Sequence, residues 1–233
     1  MLDISIVKVI YEDNHLIAVN KPAGMLVHGD ATGDTPLVDY VKQYIKIRYK
    51  KPGDVFLGVI HRLDRPVSGT IIFARTSKGL SRMSELFKKR EVNKHYWAVT
   101  KNRPDPISGH LKHFLLKDHN RNVTKAYDKI GKRTAKAKLA TLDYELVAGI
   151  DAHYLIEARP ITGRPHQIRV QLSELGCPIF GDIKYGFKNK NDDGSIHLHC
   201  RKMTFMHPIK KQPVSISCDP PYNFFWNLFN EYF

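Results

Sequence analysis

Nine short stretches of this chain have strand character and only four have helical spacing, and that imbalance restricts its fold more than any other feature. The strand stretches are Leu16 to Asn20, Val59 to Leu63, Thr70 to Ala74, His95 to Thr100, Leu111 to Leu116, Ala137 to Leu146, His153 to Ala158, His197 to Phe205 and Val214 to Ser217. Helices are predicted over Pro36 to Ile47, Ser77 to Lys89, His166 to Leu175 and Tyr222 to Phe229. Several of the strands are neighbours in sequence, so the expectation is an α+β fold: a mainly antiparallel mixed sheet with flanking helices. The second helix shows the usual grammar. Leu80, Met83 and Phe87 share one face, and Lys88, Lys89 and Arg90 sit at the negative end of the helix dipole. No compositional break or repeat divides the chain, so residues 1–233 read as a single domain. The segment Lys117 to Arg133, with its charges, Asn and Gly, reads as a loop that is mobile or ordered by a partner.

Charge narrows the choice of partners. The chain holds 37 Lys and Arg against 23 Asp and Glu, a net +14, which favours a polyanion, either nucleic acid or an anionic membrane. No apolar stretch approaches the roughly 18 to 20 residues that span a bilayer, and the start, MLDISIVKVIYEDNHLIAV, lacks the pattern of a secretory signal. A cytoplasmic protein is expected, and no membrane association. Cys177, Cys200 and Cys218 form no CxxC pair and are odd in number, so they are expected to be reduced and buried. Four basic runs, at 42–51, 87–97, 125–138 and 188–190, interleave Lys and Arg with aromatic or small residues. Phosphates attract such cations and unpaired bases stack on such rings, although any one run could simply be a solvated face.

Two stretches carry possible chemistry. In GVIHRLDRPVSG, an apolar run meets a turn at His61, Arg62 and Asp64. A strand here would put Arg62 and Asp64 on one face, His61 and Leu63 on the other, with Asp64 at the strand end. Such an Asp either shapes the turn or serves as a functional carboxylate, and spacing leaves both open. In IEARPITGRPHQIRVQLSELGCPIFGDIKYG, the predicted helix projects His166 and Arg169 three residues apart. Its N-terminal donors, with Arg164 nearby, would suit a phosphate or carboxylate, unless the helix is only capped and its arginines solvated. HLHC, at 197–200, puts His197 and His199 on one strand face and Cys200 on the other with no fourth ligand at zinc spacing, so no metal is expected. KPAG, at 21–24, reads as a turn with Gly24 at positive φ.

HRLDRPVSG, then KHYWAV, then TGRPHQIRVQLSELGCPIFGDIKYG closely resemble the RluA-type family of RNA pseudouridine synthases. VIYEDNHLIAVNKPAGMLVH near the start and IHLHCRKMTFMHP near the end are similar to that family too, so the resemblance covers nearly the whole chain. It implies the pseudouridine synthase fold, one catalytic domain with an RNA-binding cleft across the sheet, and isomerisation of uridine in RNA to its C-glycoside without a cofactor. It further implies Asp64 as the catalytic carboxylate, with Tyr96 and Arg169 as the other catalytic residues. Arg62 and His61, Arg164 and His166, and Leu198 lining the pocket fall on the substrate side. The chain departs from the family pattern at Val67, where Thr is usual, and at Gln171, where His is common. The region resembles the catalytic part alone, without the additional N-terminal RNA-binding module that many members carry, and a monomer is expected.

The residue types suit such a reaction. Cleaving the bond from ribose to base builds positive charge on the sugar, which an ionised carboxylate stabilises or captures. A guanidinium from Arg169 would keep that acid ionised. Tyr96 offers a flat face for the base and a hydroxyl for a proton. The nucleotide must leave its stack, which basic runs binding a folded ribosomal or transfer RNA would offset. A non-catalytic RNA-binding or assembly protein that keeps the fold, and a nucleosidase that frees the base, are the alternatives.

Overall fold

The computed structural model describes residues 2–30 and 32–233. Their backbone contacts gather into two compact units, one running up to Val92 and resuming over Cys200–Pro220, the other made of Asn93–His199 and Pro221–Phe233.

In the first unit the neighbours in hydrogen-bonding order are β1 (Lys8–Glu12), β2 (Leu16–Lys21), β4 (Ser68–Ala74), β10 (Leu198–Met206, from Cys200 onward in this unit) and β11 (Pro213–Ser217). The two-residue β3 (Gly58–Val59) pairs with the far end of β4, and the β1–β2, β2–β4, β3–β4 and β10–β11 ladders are antiparallel. Leu16 to Val19 and Ile71 to Ala74 are all fully buried. Both faces of these strands are covered, which is why their sequences are continuous apolar runs rather than alternating ones. Helix α1 (Leu37–Arg48) buries Leu37, Val41 and Ile45, and helix α2 (Ser77–Lys89) packs against β4 and buries Met83. Gly69 adopts φ +118°, and a Cβ there would lie 2.5 Å from the Cys200 backbone, so only glycine fits.

The second unit runs in the order β5 (Asn93–Thr100), β9 (His153–Pro160), β8 (Lys138–Ile150), β6 (Ser108–Asp118) and β7 (Val123–Tyr127), with antiparallel β5–β9, β8–β9, β6–β8 and β6–β7 pairs. Trp97, Val99, Leu155, Trp226 and Phe229 form one cluster of its core, while Leu115, Ala140, Val170 and Tyr185 form a second beneath α3 (Gln167–Glu174). The expected helix at Tyr222 to Phe229 is a single turn, α4 (Phe224–Asn227), capped by the Asn223 side chain.

The α+β expectation holds, and the three cysteines are free and buried as expected. Besides the shortened last helix and strand β1, which lies outside the nine expected stretches, two elements differ from the sequence reading. Residues 117–133 are largely a hairpin rather than a loop: β6 reaches Asp118 and β7 pairs with it from Asp118↔Val123 to Phe114↔Tyr127. Alternation there is hidden by charges on both faces: Lys125 is exposed, whereas Lys117, opposite the buried Thr124, turns its ammonium to His166. The strand expected over Val59 to Leu63 stops at Val59, for a reason given next.

Candidate active site

Residues 60–64, which carry HRLD after Ile60, are irregular. β3 pairs Gly58 with Ala74 and Val59 with Phe73; the next β4 amide, of Ile72, donates instead to Nε2 of His61 at 3.0 Å. With no partner strand the two-residue alternation lapses: Leu63 is buried and Arg62 exposed, while His61 and Asp64 are half-buried. The expected division of His61 and Leu63 from Arg62 and Asp64 by strand faces does not apply.

The far side of Asp64 is fastened by backbone groups. The Val67 amide donates to the Asp64 carbonyl at 3.0 Å, and the Gly24 amide to the Arg65 carbonyl at 2.8 Å. Arg65 returns a bond from Nε to the Gly24 carbonyl at 2.9 Å and pairs with Asp34 at 2.7 Å. Gly24 does adopt positive φ, +84°, as its turn position predicts. Beneath this junction lies Lys21, fully buried at the end of β2, which sequence reading passed over. Its Nζ donates to the carbonyls of Pro22 (2.9 Å), Met25 (2.7 Å) and Arg65 (3.2 Å), three acceptors for the three hydrogens of an ammonium. Burial pulls its pKa down from 10.5 to about 7, against the attraction of the Asp64 carboxylate. The only local signal was a lysine closing the apolar run LIAVN.

In the second unit, Tyr96 stands on β5 opposite Ala158 of β9 and is 8% exposed. Helix α3 is buried from Gln167 to Leu172, and all but one of its buried polar side-chain atoms find local partners, the exception being Gln171 Oε1. Gln167 accepts from Thr162 Oγ1 (2.7 Å) and the Arg164 amide (3.0 Å) and donates to the Thr141 carbonyl (2.9 Å). Arg169 grips Asp182 with Nε and Nη2 at 2.7 and 2.8 Å, and its guanidinium lies 5.0 Å from the Tyr185 ring centroid. Such a two-pronged, buried pair fixes the guanidinium plane.

His166 precedes the helix in left-handed backbone, φ +54°, so the expectation that it and Arg169 project together from one helical face is not met. Its Nε2 meets Lys117 Nζ at 3.1 Å and its Nδ1 meets Tyr185 Oη at 2.6 Å. Lysine only donates, so Nε2 accepts and Nδ1–H donates to the tyrosine oxygen. That oxygen also accepts the Thr124 amide at 2.8 Å, and burial raises the Tyr185 pKa. Arg164 turns its Nε to the Leu139 carbonyl at 3.0 Å, and Leu198 is buried at the start of β10. Of the two departures from the family pattern, Val67 is buried, and Gln171 donates from Nε2 to the Leu111 carbonyl at 3.3 Å while meeting His113 Nδ1 at 3.1 Å. Asp182 and Tyr185 lie within the quoted GDIKYG stretch, yet nothing in their spacing from Arg169 announces the pairing.

The profile of the family described as RNA pseudouridylate synthase matches residues 15–174. The chain belongs to that family. The ribosomal large subunit pseudouridine synthase C of Buchnera aphidicola is 31% identical over 93% of this chain and 68% of its own length. The tRNA pseudouridine synthase C of Vibrio cholerae is 31% identical over 90% of this chain and 89% of its own. Among solved structures, human RNA pseudouridylate synthase domain containing 4 superposes with a TM-score of 0.77 at 27% identity, covering 95% of this chain and 91% of that one. RNA pseudouridylate synthases are isomerases acting on RNA, and the matched region contains Asp64, Tyr96 and Arg169.

Proposed function

We propose that this chain converts specific uridines of structured RNA to pseudouridine, with ribosomal RNA the favoured substrate and transfer RNA the alternative. The observation that carries the reading is the family match over residues 15–174, with HRLD, Tyr96 and the GRPHQIR segment intact inside it. Relatives named for ribosomal RNA and for transfer RNA match equally well, which supports the substrate class and leaves the position to experiment.

On this reading Asp64, Tyr96 and Arg169 are the catalytic residues. Asp64 supplies the carboxylate that meets charge developing on the sugar, by covalent capture or by removing a sugar proton. Tyr96 stacks on the base and relays the last proton from carbon. Arg169, its plane fixed by Asp182, is read as a further catalytic residue. Arg62 enters the gap left by the flipped nucleotide, Arg164 and His166 meet phosphates, and Leu198 lines the pocket. No cofactor is needed, because the uracil that leaves is the uracil that returns. The exposed lysines of the runs at 42–51 and 125–138 hold the RNA backbone, so affinity falls steeply as salt rises. The protein is proposed to work in the cytoplasm as a monomer.

Tritium release from RNA labelled at uridine C5 tests the reaction directly. Isomerisation releases the label while leaving the strand intact; an abasic product would identify a nucleosidase instead. Chemical mapping of pseudouridine in total RNA from cells with and without the gene names the position.

A further inference from the structure

We propose that His61 is a positioning residue: its imidazole accepts the Ile72 amide where β3 gives out, and so sets the path of the loop that carries Asp64. The inference rests on the reading of Asp64 as the reacting carboxylate. It moves His61 from the substrate side, where motif matching puts it, to the support of the loop.

Strand β4 is buried at every position from Ser68 to Ala74. An amide in such a strand needs an acceptor, because no water reaches it. β3 serves only Phe73 and Ala74, and after Val59 the chain leaves the sheet. Ile72 finds its acceptor in the His61 ring, 3.0 Å away. A peptide N–H can only donate, so Nε2 carries no proton and the neutral ring keeps its hydrogen on Nδ1.

Helix α2 fixes the same ring from its flat side. Phe87 stacks on it with centroids 4.8 Å apart and planes 19° from parallel. Two turns back on the same face, Leu80 presses on Gly58, where an added Cβ would lie 2.8 Å from the Leu80 side chain. A single helix therefore touches both a strand residue before the loop and the His61 ring within it. Asp64 follows three residues later, immediately before Arg65, whose carbonyl is held by Lys21 and Gly24. The carboxylate stands between two anchors: the rear one is made by a buried ammonium and a backbone amide, the front one by a ring occupied at Nε2 and covered on one face.

Two variants separate the acceptor from the ring. H61F keeps a ring against Phe87 and removes the acceptor, whereas H61Q keeps an acceptor at similar reach and removes the ring. A misplacement of about 1 Å at a reacting group costs on the order of a hundredfold, so H61F should lose about 10- to 100-fold in kcat with KM for RNA unchanged. H61Q should recover most of that loss. Full turnover by H61F, or a rise in KM with kcat unchanged, overturns the proposal. Should H61F fail to fold, the wild-type chain answers alone by NMR. Slow exchange of the Ile72 amide and an unprotonated His61 Nε2 support the bond; fast exchange or a protonated Nε2 overturns it. D64N, assayed in parallel, keeps the two readings apart. If D64N is inactive and H61F fully active, only the positioning role falls; if D64N is fully active, there is no carboxylate to position and both readings fall.

Discussion

The loop of Asp64 and the helix of Arg169 are the two regions richest in assigned residues, and they are held by opposite means. Around Asp64 the fastening is mostly main chain: carbonyls of Pro22, Met25 and Arg65 gather on Lys21, and peptide amides of Gly24, Val67 and Ile72 complete the frame. Around Arg169 it is side chain on side chain, with the guanidinium on Asp182 and under Tyr185, and Tyr185 on His166. Irregular backbone must find an acceptor or donor for each peptide group, so a loop recruits whatever side chains lie near it. A helix satisfies its own peptides, so its side chains are left to be matched with one another.

That contrast can be tested by removing the central group on each side. The largest expected effect is on chemistry in the loop: Asp64→Asn keeps shape and loses charge, and should cost on the order of 10⁴-fold in tritium release while the melting curve stays in place. If turnover survives, the loop is a structural element and the comparison loses its functional half. The largest expected effect on stability belongs to the helix. Asp182→Ala leaves Arg169 buried without its carboxylate, which should cost about 3–5 kcal/mol in denaturant unfolding. A loss below about 1 kcal/mol would show that water reaches the guanidinium.

Lys21 sharpens the comparison through pH. Its folded pKa, about 7, lies below the 10.5 of the unfolded chain, so between those values the unfolded state binds more protons and stability from this group rises with pH. Below about pH 7 both states are protonated and the full cost of burying the charge is present. Unfolding free energies of wild type and Lys21→Met, measured from pH 6 to 10, should therefore diverge above pH 7, by up to about 1.4 kcal/mol per unit. Parallel curves would mean that the three carbonyls hold the charged form throughout. The smallest effect concerns a departure from the family pattern. Val67→Thr puts a hydroxyl into the space of a buried methyl group and should cost about 1–2 kcal/mol by thermal melting, with little change in turnover.

Much of this arrangement could be read along the chain. The run ending in Val19 and the run from Ile71 announce buried strands by unbroken apolarity, the face of Leu80, Met83 and Phe87 announces a helix by its spacing of three to four residues, and Gly24 announces its own turn. Asp64, Tyr96 and Arg169 are conspicuous through the motifs that contain them. The hairpin within 117–133 was illegible because charges stand on both of its faces, Lys125 outward and Lys117 against His166, and so imitate a loop. The end of β3 was illegible for another reason: Ile60 and Leu63 continue the apolar pattern, yet after Val59 the chain leaves the β4 ladder and the Ile72 amide goes to the His61 ring.

What the sequence determined by itself is therefore the α+β class, the buried runs and the chemical groups on offer, since each follows from neighbours within a turn or a strand pair. The tertiary structure alone decided who holds whom: His61 with Ile72 eleven residues on, Arg169 with Asp182 thirteen on, Lys21 with Arg65 forty-four on. Hydrogen bonds and ion pairs act over about 3 Å, and no local spacing encodes which distant groups the folded chain will bring that close.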